Sequence, residues 1–256
     1  MSYTIDLNAD MGESFGNYVL GQDEALLDVV TSANIACGFH AGDPTVMAQT
    51  VSLAARKGVA IGAHPSYPDL QGFGRRKMDM TPAEIEACLL YQIGALNAFA
   101  QAAGTRLTHV KAHGMLYNVA AAEKAVAQAY ARAVARYNPD LALVCLATSP
   151  MMIEEGERAG LRVVREAFAD RAYNPDGSLV SRRLPGSMLE KPEDAARQVL
   201  AIAREGRIRA HDGSILELQA DTICIHGDGP HALEIAQQVR AYLEENEVKV
   251  AAPLRS

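Results

Sequence analysis

One pattern limits what this chain can fold into. An apolar run rich in β-branched residues, then a polar turn, then a stretch of helical periodicity recurs seven times along the sequence. The apolar runs fall at residues 3–8, just before Asn34, and at 59–63, 107–111, 141–146, 161–165 and 222–225. Strands joined through helices run parallel, because a parallel pair needs a crossover long enough to hold one. Seven such units predict an α/β fold, a seven-stranded parallel (β/α) barrel, open or closed, with fewer strands than the usual eight. A doubly wound open sheet is the alternative. The length of 256 residues suits one barrel domain over 1–256.

Local signals punctuate the repeat. Asp43-Pro44 and Thr81-Pro82-Ala83-Glu84 open helices, the second as a capping box, and Gly58, Gly104 and Gly160 close them. Residues 120–137 read as one helix and the segment before Thr222 as a polar connector. The loop at 66–80, with Asp69, Gly72, Gly74, Arg75 and Arg76, is long enough to serve as a lid.

The formal charge of −7 argues against general nucleic-acid binding. No signal pattern or apolar run of membrane-spanning length is present, and the four cysteines are widely spaced. The expectation is a cytoplasmic protein with reduced thiols. No G-x-G-x-x-G or Walker pattern follows a strand, so the sequence gives no support for a nucleotide site in this chain.

Parallel α/β folds keep their chemistry on the loops at the C-terminal ends of the strands. The residues there are Asp10 and Glu13, Cys37 and His40, His64, Lys111 and His113, Glu166 and Asp170, and His226 and Asp228. Asp6, Asn8 and Asp10 are spaced by two and share one face of an extended strand. Two chemistries fit this set. One is metal-assisted hydrolysis, with Asp10, His40 and His64 on a divalent ion. The other is metal-free acid–base work on an amide, with Lys111 or Arg75 holding an anionic group. Cys37, three residues from His40, is either a nucleophile or a packed thiol. Tyr117 either stacks on His113 or binds substrate, and Asp228 is placed to orient His226.

Several blocks resemble the LamB/YcsF family: residues 6–13, 34–44, 62–69, 109–114, 166–173 and 225–228. Ala112 and Met115 depart from it, standing where the family usually has Pro and Ala. The resemblance implies a distorted barrel of the glycoside hydrolase/deacetylase type. It also implies ATP-dependent 5-oxoprolinase activity, opening 5-oxo-L-proline to L-glutamate together with separate B and C subunits. ATP would then be handled by those partners and the lactam by this chain. On that reading Asp10, His40, His64 and His113 are the acid–base candidates. Asn8, Glu13, Arg75, Lys111, Tyr117, Glu166, Asp170 and His226 would face the substrate. A hydrolase or deacetylase acting alone with a bound metal is the competing expectation.

Overall fold

The computed structural model describes residues 3–181, 183–226 and 231–253. The expected pattern unfolds in order: β1 (Tyr3–Met11), α1 (Asp23–Leu26), β2 (Ser32–Ala36), α2 (Pro44–Lys57), β3 (Ala60–His64), α3 (Pro82–Ala102), β4 (Leu107–Lys111). Next come α4 (Gly114–Ala122), α5 (Lys124–Tyr137), β5 (Ala142–Leu146), α6 (Pro150–Arg158) and β6 (Val163–Phe168). The chain ends with α7 (Pro192–Glu205), the hairpin β7 (Arg207–Arg209) and β8 (Ile215–Glu217), β9 (Thr222–Cys224), α8 (Ala232–Glu245) and β10 (Val248–Val250).

Strands β1 to β6 pair in sequence order, and β9 bonds to β6 on one side and β1 on the other. The result is a closed barrel of seven parallel strands, not an open doubly wound sheet. Strand β10 adds to the first residues of β1, Tyr3 to Ile5, beside the closure.

The caps act as the sequence predicts. The Asp43 carboxylate accepts from Thr45 and Val46 amides at 2.8 and 3.0 Å, and Gly58 ends α2 in the left-handed region. Thr81 and Glu84 form the reciprocal capping box of α3. Leu7, Ala9 and Met11 of β1 are buried in the main apolar core together with side chains of the surrounding helices.

The lumen is different. Lys111 of β4 reaches Asn8 of β1, and His109 of β4 reaches Asn34 of β2, so side chains of non-adjacent strands meet inside the barrel. The opposite part of the lumen is apolar, made by Ala142, Val144 and Val164. A buried polar group without a partner costs several kcal/mol, roughly 2–7. Asp6, Asn8, Asn34, His109 and Thr222 all have partners here. This also explains why β1 extends to Met11 where the sequence suggests a loop after Asn8: its inward polar residues are satisfied across the lumen.

Three other differences have local causes. Glu123, in extended backbone, divides the expected 120–137 helix into α4 and α5, and α4 begins at Gly114. The connector before Thr222 contains β7 and β8, each of three residues and mostly exposed, too short to show an alternating pattern. Strand β10 is equally short. Among the described residues no helix is long and apolar enough to cross a membrane.

Candidate active site

Three histidines meet at the mouth of the barrel. His64 is the last residue of β3, His113 precedes α4, and His40 lies on the β2–α2 loop. The His40 and His113 rings stack with centroids 3.7 Å apart and planes within 4°, and His64 meets His113 edge-on at 4.9 Å. Glu13, from the β1–α1 loop, places Oε1 3.0 Å from His40 Nε2 and 3.5 Å from His113 Nδ1. One donor atom from each of Glu13, His40, His64 and His113 lies within 4.8 Å of the other three.

The backbone fixes two of these rings. His64 Nδ1 is 2.7 Å from the Lys111 carbonyl, and His113 Nε2 is 2.9 Å from the Phe73 carbonyl. A carbonyl only accepts, so both nitrogens carry hydrogen, and the nitrogens directed at the cluster are His64 Nε2 and His113 Nδ1. Phe73 achieves its contact at a φ of 54°, uncommon for an aromatic residue. The loop bearing it is compact: the Asp69 carboxylate accepts from the Gly72 amide at 2.9 Å and from Arg76 Nε at 2.9 Å. At Gly74 a Cβ would collide with Ser66 and press on His113 and His40, so the loop packs closely over the rings. Burial, reinforced by the neighbouring histidines, holds His40 and His113 well below the usual imidazole range, so both are neutral near pH 7.

Beside the histidines is a buried ion cluster. Lys111 Nζ lies 2.9 Å from Asp10 Oδ1, 2.8 Å from Glu166 Oε1 and 3.1 Å from Cys224 Sγ. Burial alone would discharge this lysine; Asp10, Cys224 and Glu166 instead hold it charged, well above its ordinary range. Burial likewise opposes ionisation of Asp10, but His64 and Lys111 outweigh it and keep the carboxyl well below the usual range. The second Asp10 oxygen, Oδ2, is 3.3 Å from His64 Nε2. The Tyr117 hydroxyl donates to Glu166 Oε2 at 2.7 Å. A third group adjoins these two. Phe168 stacks on His226 at 5.3 Å with Lys111 Nζ 5.8 Å from its centroid, and His226 Nδ1 lies 2.8 Å from Asp170 Oδ1.

The barrel mouth therefore offers an ionised carboxylate, neutral imidazoles and a buried ammonium within reach of one another. The LamB/YcsF family pattern matches residues 5–256. This chain belongs to the LamB/YcsF family. It is 54% identical, over 98% of its length and 96% of the relative's, to a Methylococcus capsulatus protein named as the A-type subunit of 5-oxoprolinase. It is 55% identical to the protein so named in Chloroflexus aggregans, over 98% of this chain and 99% of that one. The crystal structure of a lactam utilization protein from Thermus thermophilus superposes with a TM-score of 0.93 at 49% identity, covering 97% of this chain and 99% of that one.

In this LamB/YcsF chain the strand-end candidates separate into distinct environments. Asp10, Glu13, His40, His64 and His113 converge, and Asn8, Lys111, Glu166 and Tyr117 adjoin them. Asp170 and His226 pair with each other. Arg75 is exposed on the rim, its guanidinium 4.9 Å from the Phe73 ring centre. Asp228 lies outside the described residues. Two expectations change. The donors that cluster are Glu13, His40, His64 and His113, whereas Asp10, expected among the metal ligands, engages Lys111. Cys37 is buried, its thiol 3.3 Å from the Ile35 carbonyl and pushed up to about 12 by burial, which removes it as a nucleophile. Tyr117 turns to Glu166 and not to His113. Thr222, Cys224 and His109 escaped the sequence reading. Their signal was the period of two, since His109 precedes Lys111 and Thr222 precedes Cys224 at that spacing.

Proposed function

We propose that this chain is the A-type component of an ATP-dependent 5-oxoprolinase. It opens 5-oxo-L-proline to L-glutamate with B and C subunits, in the cytoplasm, as one barrel domain over 1–256. The observation that carries the reading is the buried ionised Asp10, held between Lys111 and His64 at the barrel mouth. The chain around it matches relatives named as 5-oxoprolinase subunits over nearly their full length. An unstrained five-membered lactam resists attack by water near neutrality, so coupling to ATP is chemically reasonable. In this reading the partners use ATP to activate the lactam oxygen by phosphorylation.

Asp10 is the general base. Its Oδ2 takes a proton from water as the water oxygen adds to the lactam carbon. When the carbon–nitrogen bond breaks, the leaving ring nitrogen requires a proton. His226, its Nδ1 held by Asp170, is the group assigned to supply it. Lys111 and Arg75 balance negative charge on substrate carboxylate or phosphate. Asn8, Tyr117 and Glu166 fix the ammonium of Lys111.

The cluster fits a divalent cation. His40 Nδ1 is buried without a hydrogen-bond partner, and two imidazole nitrogens face each other beside a carboxylate. Glu13, His40, His64 and His113 would hold the ion, which when bound supplies Lewis-acid polarisation of a carbonyl oxygen or water. That donor set also favours a second reading, an amide or carbohydrate hydrolase or deacetylase acting alone. The test uses the chain with its partner subunits, ATP and 5-oxoproline. Asp10→Asn and His64→Ala should abolish glutamate formation while circular dichroism is retained, and full activity in both would refute the reading. Hydrolysis by the isolated chain without ATP, stopped by a chelator, would establish the second reading instead.

A further inference from the structure

We infer that His109 is a positioning residue for Asp10, acting through the side-chain amide of Asn34. The role in turnover rests on the reading of Asp10 as general base; the geometry does not. His109 sits one inward position deeper in β4 than Lys111, is buried, and touches none of the mouth histidines' donor atoms. Its Nε2 is 2.9 Å from Asn34 Oδ1, across the lumen, and its Nδ1 is 2.8 Å from Thr108 Oγ1. On its other side, Asn34 Nδ2 lies 2.7 Å from Asn8 Oδ1 and 2.9 Å from Asp10 Oδ1.

These contacts permit one arrangement of hydrogens. Asp10 is ionised and accepts only, and Asn8 Oδ1 already accepts from Lys111 at 3.3 Å. The Asn34 nitrogen must therefore face them, which turns its oxygen to His109. That oxygen needs a donor, so His109 carries hydrogen on Nε2. Burial keeps the ring neutral, its pKa lowered to about 3, so Nδ1 is an acceptor and takes the Thr108 hydroxyl hydrogen. Reversing the amide would set its oxygen against Asn8 Oδ1 and a carboxylate and lose three hydrogen bonds. The tautomer of His109 thus holds Asn34 in one of its two flip states.

The consequence reaches the mouth. Asn34 and Lys111 both donate to Asp10 Oδ1, each at 2.9 Å, which leaves Oδ2 as the oxygen directed to His64 and the substrate space. Without the His109 donor, Asn34 has no reason to keep its amide so oriented, and Asp10 is free to rotate about its last bond. The fold reserves room for this ring: a Cβ on the neighbouring strand residue Gly62 would lie within it.

The experiment combines nitrogen NMR of the imidazoles and of the Asn34 amide with steady-state kinetics on the assembled enzyme. His109 in the wild type should be the Nε2–H tautomer, and Thr108→Val should raise the Nδ1–H population. His109→Leu should shift the Asn34 side-chain resonances and lower kcat roughly 10- to 100-fold with KM little changed. His109→Gln, whose amide nitrogen can occupy the Nε2 position, should restore most of kcat. Equal losses in the leucine and glutamine variants, or an Nδ1–H tautomer in the wild type, would overturn the inference. So would a folded His109→Leu with unchanged kcat while Asp10→Asn is inactive. If Asp10→Asn is fully active, the general-base reading fails and the Asn34 resonances alone decide: shifted in His109→Leu they support the positioning role, unchanged they overturn it. If His109→Leu does not fold, the tautomer measurements in wild type and Thr108→Val decide in the same way.

Discussion

His64 Nε2 and His113 Nδ1 face each other at 3.1 Å, although each ring already gives its other N–H to a backbone carbonyl. Two lone pairs repel at that distance and two N–H groups collide. A cation between or beside them, proton or metal, resolves the conflict, and the Glu13 carboxylate 3.5 Å from His113 adds to its attraction.

The first prediction follows from that pair. The purified chain should bind one divalent transition-metal ion, and His113→Ala or Glu13→Gln should weaken binding by at least about tenfold. Because His40 and His113 titrate well below the ordinary imidazole value, their donor nitrogens stay available at neutral pH. Affinity should then fall only as acid protonates the cluster. Calorimetric titration with Zn²⁺ or Mn²⁺ at several pH values measures both effects.

Lys111→Met should destabilise the fold by about 3–5 kcal/mol at pH 7, since it leaves Asp10 and Glu166 buried without their cation. The pH dependence should reverse. In the wild type the folded Asp10 pKa lies below its ordinary 3.8, so its contribution is present above that value and is lost as pH falls through the folded pKa. In the variant the two carboxylates are easier to protonate folded than unfolded, so stability should rise as pH falls from neutrality. Urea unfolding across pH 5–8, about the window in which variant and wild type diverge, would show it.

Asp6 gives the opposite sign within the native protein. Its carboxylate accepts from Thr31, Ser32 and Thr222 hydroxyls but has no cation, and burial raises its pKa to about 6. Its protonated form therefore favours the folded state below the unfolded value of 3.8, and that advantage is lost as pH rises through about 6. The wild type should lose roughly 3 kcal/mol from this residue over that range. Asp6→Asn should lack that component, which a comparison of the two stability–pH curves isolates.

Gly62→Ala should cost about 1–3 kcal/mol by thermal unfolding, since its methyl group would occupy the space of the His109 ring. A mutation of one methyl group in the lumen should then reduce activity as well, through the displaced imidazole. Alanine at Gly58, where no neighbour lies within 4 Å, meets only the backbone strain of its φ of 67° and should spare activity.

The barrel was legible because β-branched runs and helix caps recur in register with the chain, from Asp43-Pro44 to Thr81–Glu84. The mouth histidines were legible because each follows a strand. The lumen was harder to read. His109 and Thr222 lie inside strands, where a polar side chain looks the same in sequence whether it faces water or a partner across a barrel. Nor could spacing reveal that Glu13 joins the histidines while Asp10 turns to Lys111. That choice depends on the β1–α1 loop folding back over the mouth, a tertiary effect. The short strands β7, β8 and β10 gave too few residues for a period to appear.

Closure of the barrel sets an order on its making. The hydroxyl of Thr222 bonds Asp6 across 216 residues of chain, and Cys224 of the same strand touches Lys111. A ribosome-bound chain can therefore lay down six strands and every mouth histidine before the lumen has its last wall. Until β9 emerges, Asp6 and Lys111 remain open to water and lack neighbours that the finished barrel gives them. Catalytic competence should thus arrive late and abruptly in synthesis. Truncation just before Thr222 should yield a chain with most of its helices and none of its chemistry.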